Sequence, residues 1–249
     1  MKLGSSSLLE PDWPAPDKVS CVVTKRAGGR STGPYQSLNL ALHVGDDADS
    51  VASNRALVQA QHPGVQSWQW LDQVHSATVH RIEKAEPNKV GDGLVTTSRG
   101  VACCILTADC LPVLICNEAG TEVAAVHGGW RGLAAGIVGN TVSTMQSQPE
   151  SLLVWLGPAI GPCHFEVGAE VREQFLIQDH SQTMNDQFAR QDSGKYLADL
   201  YGIARTQLQG LGVERVFGGG FCTYCDSNQF FSYRRDGASG RMLSAIYLV

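Results

Sequence analysis

Long apolar runs are missing from this chain. No window approaches the ~20 apolar residues that a membrane-crossing helix needs, so no such helix is expected. Charge is scarce as well. Asp, Glu, Lys and Arg make up only 17% of the residues, too few for a chain held open by its own charges. The formal net charge of −5 offers no general attraction to nucleic acid or anionic membrane, and neither is expected as a partner. A local basic pocket for a phosphate-bearing ligand stays compatible with that balance. The opening MKLGSSSLLEPDWPAPDKVS lacks the ~7–15-residue apolar core of a secretory signal. A cytoplasmic protein is expected. Residues 1–17 read as an arm on the surface. Residues 18–249 read as one domain, since no repeat, low-complexity tract or linker interrupts them.

What the chain does have is core-forming material, 43% hydrophobic over 249 residues. Strand patterns recur in KVSCVVTKR, WQWLDQV, ATVHRIE, DGLVTT, VACCILTADCLPVLICN, EVAAVHGG and SLLVWLG. The run VACCILTADCLPVLICN contains Pro112 and reads as two strands, broken near Asp109-Cys110. Helices are expected over DADSVASNRALVQAQ, RGLAAGIVGNTVSTMQ, GAEVREQFLIQ and GKYLADLYGIARTQLQGLG. DGASGR near the C-terminus reads as a hairpin turn. Strands and helices mixed in this way indicate an α/β or α+β domain, with helices over a mostly β core.

Eight cysteines (Cys21, Cys103, Cys104, Cys110, Cys116, Cys163, Cys222 and Cys225) in a chain without an export signal are expected as reduced thiols. Most suit small buried apolar sites. Three residues stand out because each ends or interrupts an apolar strand: His75 in LDQVHSATV, Cys110 in LTADCLPVLI and His127 in AAVHGGWRG. Two imidazoles and a thiolate suit Zn²⁺, and three protein ligands leave a fourth position open for chemistry. Core packing of the thiol and turn packing of the histidines is the competing explanation. The Cys222-Thr-Tyr-Cys225 pair lacks an obvious second pair and reads as structural thiols.

Basic and polar candidates surround these. Arg131 follows the His127 turn at the start of a helix, where an anion is favoured. Arg26 precedes a Gly-rich loop, and Arg234-Arg235 lie in FFSYRRDG. Asn39 and His43 in SLNLALHVGDD are either ligand-facing or turn-forming. Arg55 faces either the site or solvent. Asp109, beside Cys110, is a candidate to orient a ligand histidine or to act as general acid/base. Within a continuous strand the two neighbours would point apart.

GPYQSLNLALHVGDD, LDQVHSATV, TADCLPVLI, AAVHGGWRGLAAGIV, GPAIGPCHFEVG and CTYCDSNQFFSYRRDGASGRM, in that order, resemble the YfiH family, also called the multicopper polyphenol oxidoreductase or laccase-domain family. The resemblance runs from about Val19 to the C-terminus. It implies a single layered α/β/β/α sandwich with mixed sheets, similar to cysteine-hydrolase-like domains. It also implies His75, Cys110 and His127 as metal ligands. The implied activity is zinc-dependent phosphorolysis of purine nucleosides (adenosine, inosine, guanosine, methylthioadenosine) with adenosine deamination, by a monomer or homodimer. Copper is the implied substitute ion, giving phenol oxidation in vitro. Multi-copper oxidation as the main chemistry would need many paired histidines, whereas the seven here are scattered. The implied phosphate clamp is Arg131 first and Arg26 second. A cysteine amidase, with Cys110 as nucleophile and His127 or His75 as base, uses the same residues and remains the alternative. A binding module would need a fourth ligand on the metal, for which Cys163 or His164 is the candidate.

Overall fold

The computed structural model describes residues 3–249. Strands β1 (Leu8–Leu9) and β2 (Val19–Thr24) open the chain. Helix α1 (Ala48–Gln59) follows, its first turn capped by the Asp47 carboxylate, which accepts from Ser50 N. Next come β3 (Ser67–Gln69), β4 (Val79–Ile82), β5 (Gly93–Thr96), β6 (Val101–Thr107), β7 (Leu111–Asn117) and β8 (Val123–Gly128). The middle of the chain holds α2 (Trp130–Ala134), α3 (Ile137–Thr144) and β9 (Leu152–Leu156). A smaller group comprises β10 (Glu166–Val167), α4 (Ala169–Gln178), α5 (Gln182–Asn185), β11 (Phe188–Arg190) and β12 (Tyr196–Ala198). The chain closes with α6 (Leu200–Gly210), β13 (Arg215–Gly218), α7 (Tyr233–Asp236) and β14 (Met242–Leu248).

Two mixed sheets face each other. One runs β1-β2-β14-β6-β3 and the other β13-β9-β7-β8-β5-β4, while β10-β12-β11 form a small third sheet. Side-chain alternation explains the layering. On β6, Val101, Cys103 and Ile105 point between the sheets, and Ala102, Cys104 and Leu106 point outward to α1 and its neighbours. On β7, Leu114 and Cys116 face inward, while Val113 and Ile115 meet the helical layer that contains Leu133, Ile137 and Ile203. Every residue of β6, β7 and β8 is buried. These strands therefore read as unbroken apolar runs, because both of their faces need covering. The result is a single α/β/β/α sandwich. Among the described residues, no helix is long and apolar enough to cross a membrane.

Four local expectations change. The helix expected over 131–146 is two helices, α2 and α3, because Gly136 sits at φ +86° and breaks the ladder. GKYLADL is not helical throughout. Tyr196–Ala198 pair with β10 and β11, and Asp199 then caps α6 by accepting from Tyr201 N. DGASGR is no hairpin, since β14 pairs with the distant β2 and β6. The segment before it is the single turn α7, closed by Gly237 at φ +69°. The segment 1–17, expected as a surface arm, is tied in where it is described. Leu8–Leu9 pair with Val23 and Thr24, and Trp13 and Ala15 pack against the inter-sheet core. Its first two residues lie outside the described residues.

Candidate metal centre and pocket

The site forms where the chain passes from one sheet to the other. Strand β6 ends at Thr107 and β7 begins at Leu111, so Ala108-Asp109-Cys110 is a corner, with Asp109 at φ +84°. His127 lies on β8 directly opposite Pro112 of β7, itself two residues along the chain from Cys110. His75 reaches the same point from the loop between β3 and β4, held at φ +60°. Its Nε2 is 3.6 Å from the Cys110 Sγ, and the His75 and His127 rings meet edge-on at 4.7 Å. One ligand atom from each of the three lies within 4.8 Å of the others, and no fourth His, Cys, Asp or Glu joins this group among the described residues.

Both glycines after His127 are required by space. A Cβ on Gly129 would stand 2.6 Å from His75 Cδ2 and 3.2 Å from Cys110 Sγ. One on Gly128 would meet the Leu111 carbonyl at 2.7 Å. Real Cβ atoms do not approach so closely, so the side chains of the centre occupy the room that the glycines leave.

The organiser of the centre is Asp92, which sequence reasoning missed. It is fully buried at the entrance to β5. Its Oδ1 lies 2.7 Å from His127 Nδ1 and accepts the His75 amide at 3.0 Å. Its Oδ2 accepts the amide and hydroxyl of Ser76 at 2.6 and 2.7 Å. One carboxylate thus fixes the His127 ring, leaves that ring's Nε2 for a metal, and sets the backbone that carries His75. A clue lay in VGDGLV, where a carboxylate between two glycines runs straight into a buried strand.

The charges reinforce one another. Burial alone would raise the Cys110 pKa, but the charge on His127 and hydrogen bonds from both histidines outweigh it and bring the thiol to about 6. Burial would lower His127, but the Cys110 thiolate and Asp92 carry it up to about 9. Burial would raise Asp92, yet hydrogen bonds from His127 and Ser76 hold it at about 2. A thiolate and two directed imidazoles match the soft-plus-borderline donor set that Zn²⁺ and Cu²⁺ accept. The residues fit a metal.

The centre opens into a cavity of about 520 Å³. Its walls combine apolar and aromatic groups (Leu106, Trp130, Phe165, Tyr233) with the cations Arg131, Arg234 and Arg241. Of the basic and polar candidates expected from the sequence, Arg131, Arg234 and His43 are there. The Arg131 guanidinium lies over the Trp130 ring at 4.3 Å from its centroid. Arg241 was not anticipated; SGRML gives only an arginine leading into the last apolar strand.

Three expected substrate contacts lie elsewhere. Arg26 spends its guanidinium on the carbonyls of Gln36 and Ser227 and lies over Phe231, outside this cavity. Arg55 donates to the Leu40 carbonyl and stacks on Trp70 at 3.9 Å. Asn39 is fully buried and acts behind the wall. Its Oδ1 accepts from Ala41 N and Arg241 N, so it locks the start of β14. Asp109 is likewise not an orienter of the histidines. Its carboxylate accepts from the Thr223 hydroxyl at 2.6 Å and the Arg234 amide at 2.7 Å. Cys163 and His164 do not reach the centre; they lie with Cys222 and Cys225 in a separate group.

Layered sheets with a thiolate–imidazole centre at their crossing define a protein class built to hold a metal at the floor of a polar-and-aromatic pocket. The sequence profile of the multi-copper polyphenol oxidoreductase laccase family matches residues 20–249. This chain belongs to that family. It is 48% identical to Purine nucleoside phosphorylase YfiH of Escherichia coli, over 98% of this chain and 100% of that one. The crystal structure of a Neisseria meningitidis protein superposes with a TM-score of 0.93 at 46% identity, covering 97% of this chain and 99% of the other. YlmD from Geobacillus stearothermophilus superposes with a TM-score of 0.88 at 31% identity, covering 97% and 98%.

Proposed function

We propose that this chain is a zinc-dependent purine nucleoside phosphorylase of the cytoplasm, acting on adenosine, inosine, guanosine and methylthioadenosine, with adenosine deamination at the same site. The reading rests above all on one observation: a three-ligand centre at the base of a cavity that is aromatic on some walls and cationic on others. A purine has flat apolar faces and suits Phe165, Trp130 and Tyr233. Inorganic phosphate suits guanidinium groups, and Arg131, Arg234 and Arg241 supply them. Relatives carrying the name purine nucleoside phosphorylase support the same substrates.

His75, Cys110 and His127 would hold the ion. Bound there, zinc supplies Lewis acidity at the position left without a protein ligand. Everything else falls to the chain. The arginines hold phosphate in line with the ribose C1′, so that one phosphate oxygen bonds to C1′ as the bond from C1′ to the base nitrogen breaks. The leaving base takes up a proton from solvent, and His43 on the cavity wall, its pKa lowered by burial and by Arg241, would hydrogen-bond the base as a neutral imidazole. Copper in the same His₂Cys set, favoured by its higher affinity, would support phenol oxidation in vitro. The deciding experiment incubates the purified, metal-analysed protein with adenosine, with and without phosphate. Adenine and ribose 1-phosphate appearing only with phosphate support phosphorolysis, and inosine supports deamination. Neither product would overturn the reading.

A second reading has its own observation. Cys110, His127 and Asp92 stand in the order nucleophile, base and orienting carboxylate. That arrangement suits a cysteine amidase. His75, 3.6 Å from the sulfur on its own loop, has no task in such a triad and does in a metal site. Amide hydrolysis by metal-free protein, abolished by iodoacetamide, would favour the amidase.

A further inference from the structure

The other thiols of the chain converge on a second point. Cys163-His164 sits in the turn after β9, and Cys222 and Cys225 flank the turn before α7. Cys163 Sγ is 3.7 Å from Cys222 Sγ and 3.6 Å from Cys225 Sγ. His164 Nδ1 lies 3.2 Å from Cys163 Sγ and 3.3 Å from Cys225 Sγ. All four ligand atoms fall within 4.8 Å of one another. A tetrahedral ion with Zn–S of about 2.3 Å and Zn–N of about 2.0 Å sets its ligands about 3.8 Å apart for two sulfurs and about 3.5 Å apart for sulfur and nitrogen. The sulfur of Cys163 stands close to that spacing from those of Cys222 and Cys225, the two sulfur–nitrogen distances are slightly shorter than it, and the whole group lies within 4.8 Å.

We propose that Cys163, His164, Cys222 and Cys225 form a closed Cys₃His zinc site, separate from the centre in the pocket. The Cys-x-x-Cys lacked a second pair in the sequence, and the adjacent Cys-His provides it across the fold. The surroundings are those of a ligand shell. The His164 ring is stacked on Tyr224 at 4.0 Å and 15°, which directs Nδ1 toward the sulfurs. The Gly161 amide donates to Cys222 Sγ at 3.3 Å, a partner that supports thiolate. A Cβ on Gly161 would stand 3.2 Å from Cys222 Cβ and 3.5 Å from Cys163 Sγ, so glycine lets the two turns close together.

Four protein ligands leave no position for substrate, so this ion is a staple. What it staples is one wall of the pocket. Phe165 follows His164 directly and lines the cavity. Thr223, between the two cysteines, donates to Asp109, and Asp109 in turn accepts the Arg234 amide.

The test is a metal count on the full-length protein. With zinc supplied during expression, wild type should carry two equivalents, C222S/C225S one, and Cys110→Ala one. The Cys110→Ala protein leaves the proposed site whole, so the test survives if C222S/C225S does not fold. Loaded with Co²⁺, Cys110→Ala should show thiolate charge-transfer absorbance about three times that of the C222S/C225S protein, for three sulfurs against one. No zinc in Cys110→Ala, or a full wild-type zinc count retained by C222S/C225S, would overturn the proposal; an empty pocket centre alone would instead lower wild type to one equivalent that C222S/C225S loses. A disulfide joining Cys163 to Cys222 or Cys225 in freshly purified protein would overturn it as well.

Discussion

The molecule gathers thiol and imidazole ligands twice, and the two gatherings differ in what stands behind them. At the pocket, three side chains come from three separated segments, two of them bound to strands of the second sheet, and a buried carboxylate holds two of the three. In the second group, four side chains come from two turns, with Cys163 and Cys225 exposed and, among the described residues, no carboxylate hydrogen-bonded to any of the four. A reactive centre needs rigid backing and a missing ligand. A staple needs a full ligand count and little else. The same residue types therefore yield either chemistry or cohesion, according to ligand number and to what the sheets place behind them.

The comparison is open to breakage. Replacing Cys110 by Ala should have the largest effect. It removes a ligand outright and should lower phosphorolysis by more than the ~100-fold expected for losing a group behind a ligand. Steady-state rates and zinc content measured together check this. Gly129→Ala comes next. Its methyl would intrude on His75 and Cys110, so metal affinity should fall while the melting temperature changes little, because the strain is relieved by displacing the half-exposed ligands. Asp92→Asn should weaken zinc binding by about 10–100-fold, read by competition with a chelator.

The charges make a prediction in metal-free protein. Because the Cys110 pKa is lowered to about 6, its alkylation by iodoacetamide should rise through about pH 6, instead of the ~8.5 of a free thiol. Asp92→Asn withdraws support from the His127 imidazolium and should move that midpoint upward. The smallest contrast separates the arginines. Arg131→Ala should raise the KM for phosphate several-fold, whereas Arg26→Ala should leave that KM unchanged and lower only stability, since Arg26 holds carbonyls away from the cavity. Equal effects of the two on KM would refute the assignment of the cavity.

Much of the centre was legible. His75, Cys110 and His127 each interrupt or end an apolar strand, where a polar group needs a reason to be. Arg26, Asn39 and Arg55 were misplaced because a polar residue in a loop, or on a helix at the surface as Arg55 is, carries no sign of which partner it faces. All three turn out to satisfy backbone groups of the 26–41 loop or its neighbour. Asp92 escaped because its partners, residues 74–76 and 127, are remote in sequence and its role appears only when β5 pairs with β8. The helix breaks at Gly136 and before Asp199 were missed for a different reason: apolar spacing persists across both, and only backbone geometry and strand pairing end the helices there.

By itself the sequence determined a mixed α/β class with helices over a mostly β core, the buried strands and the three ligand types, because hydrophobic periodicity and donor chemistry are properties of local residues; the α/β/β/α layering was implied only by the family resemblance. Only the tertiary structure decided which arginines face the cavity, that Asp92 governs both histidines, and that Cys163-His164 meets Cys222 and Cys225 instead of the pocket. Those are matters of direction and of distance across the fold, and they are set by how sheets pair and turns pack, which no single segment encodes.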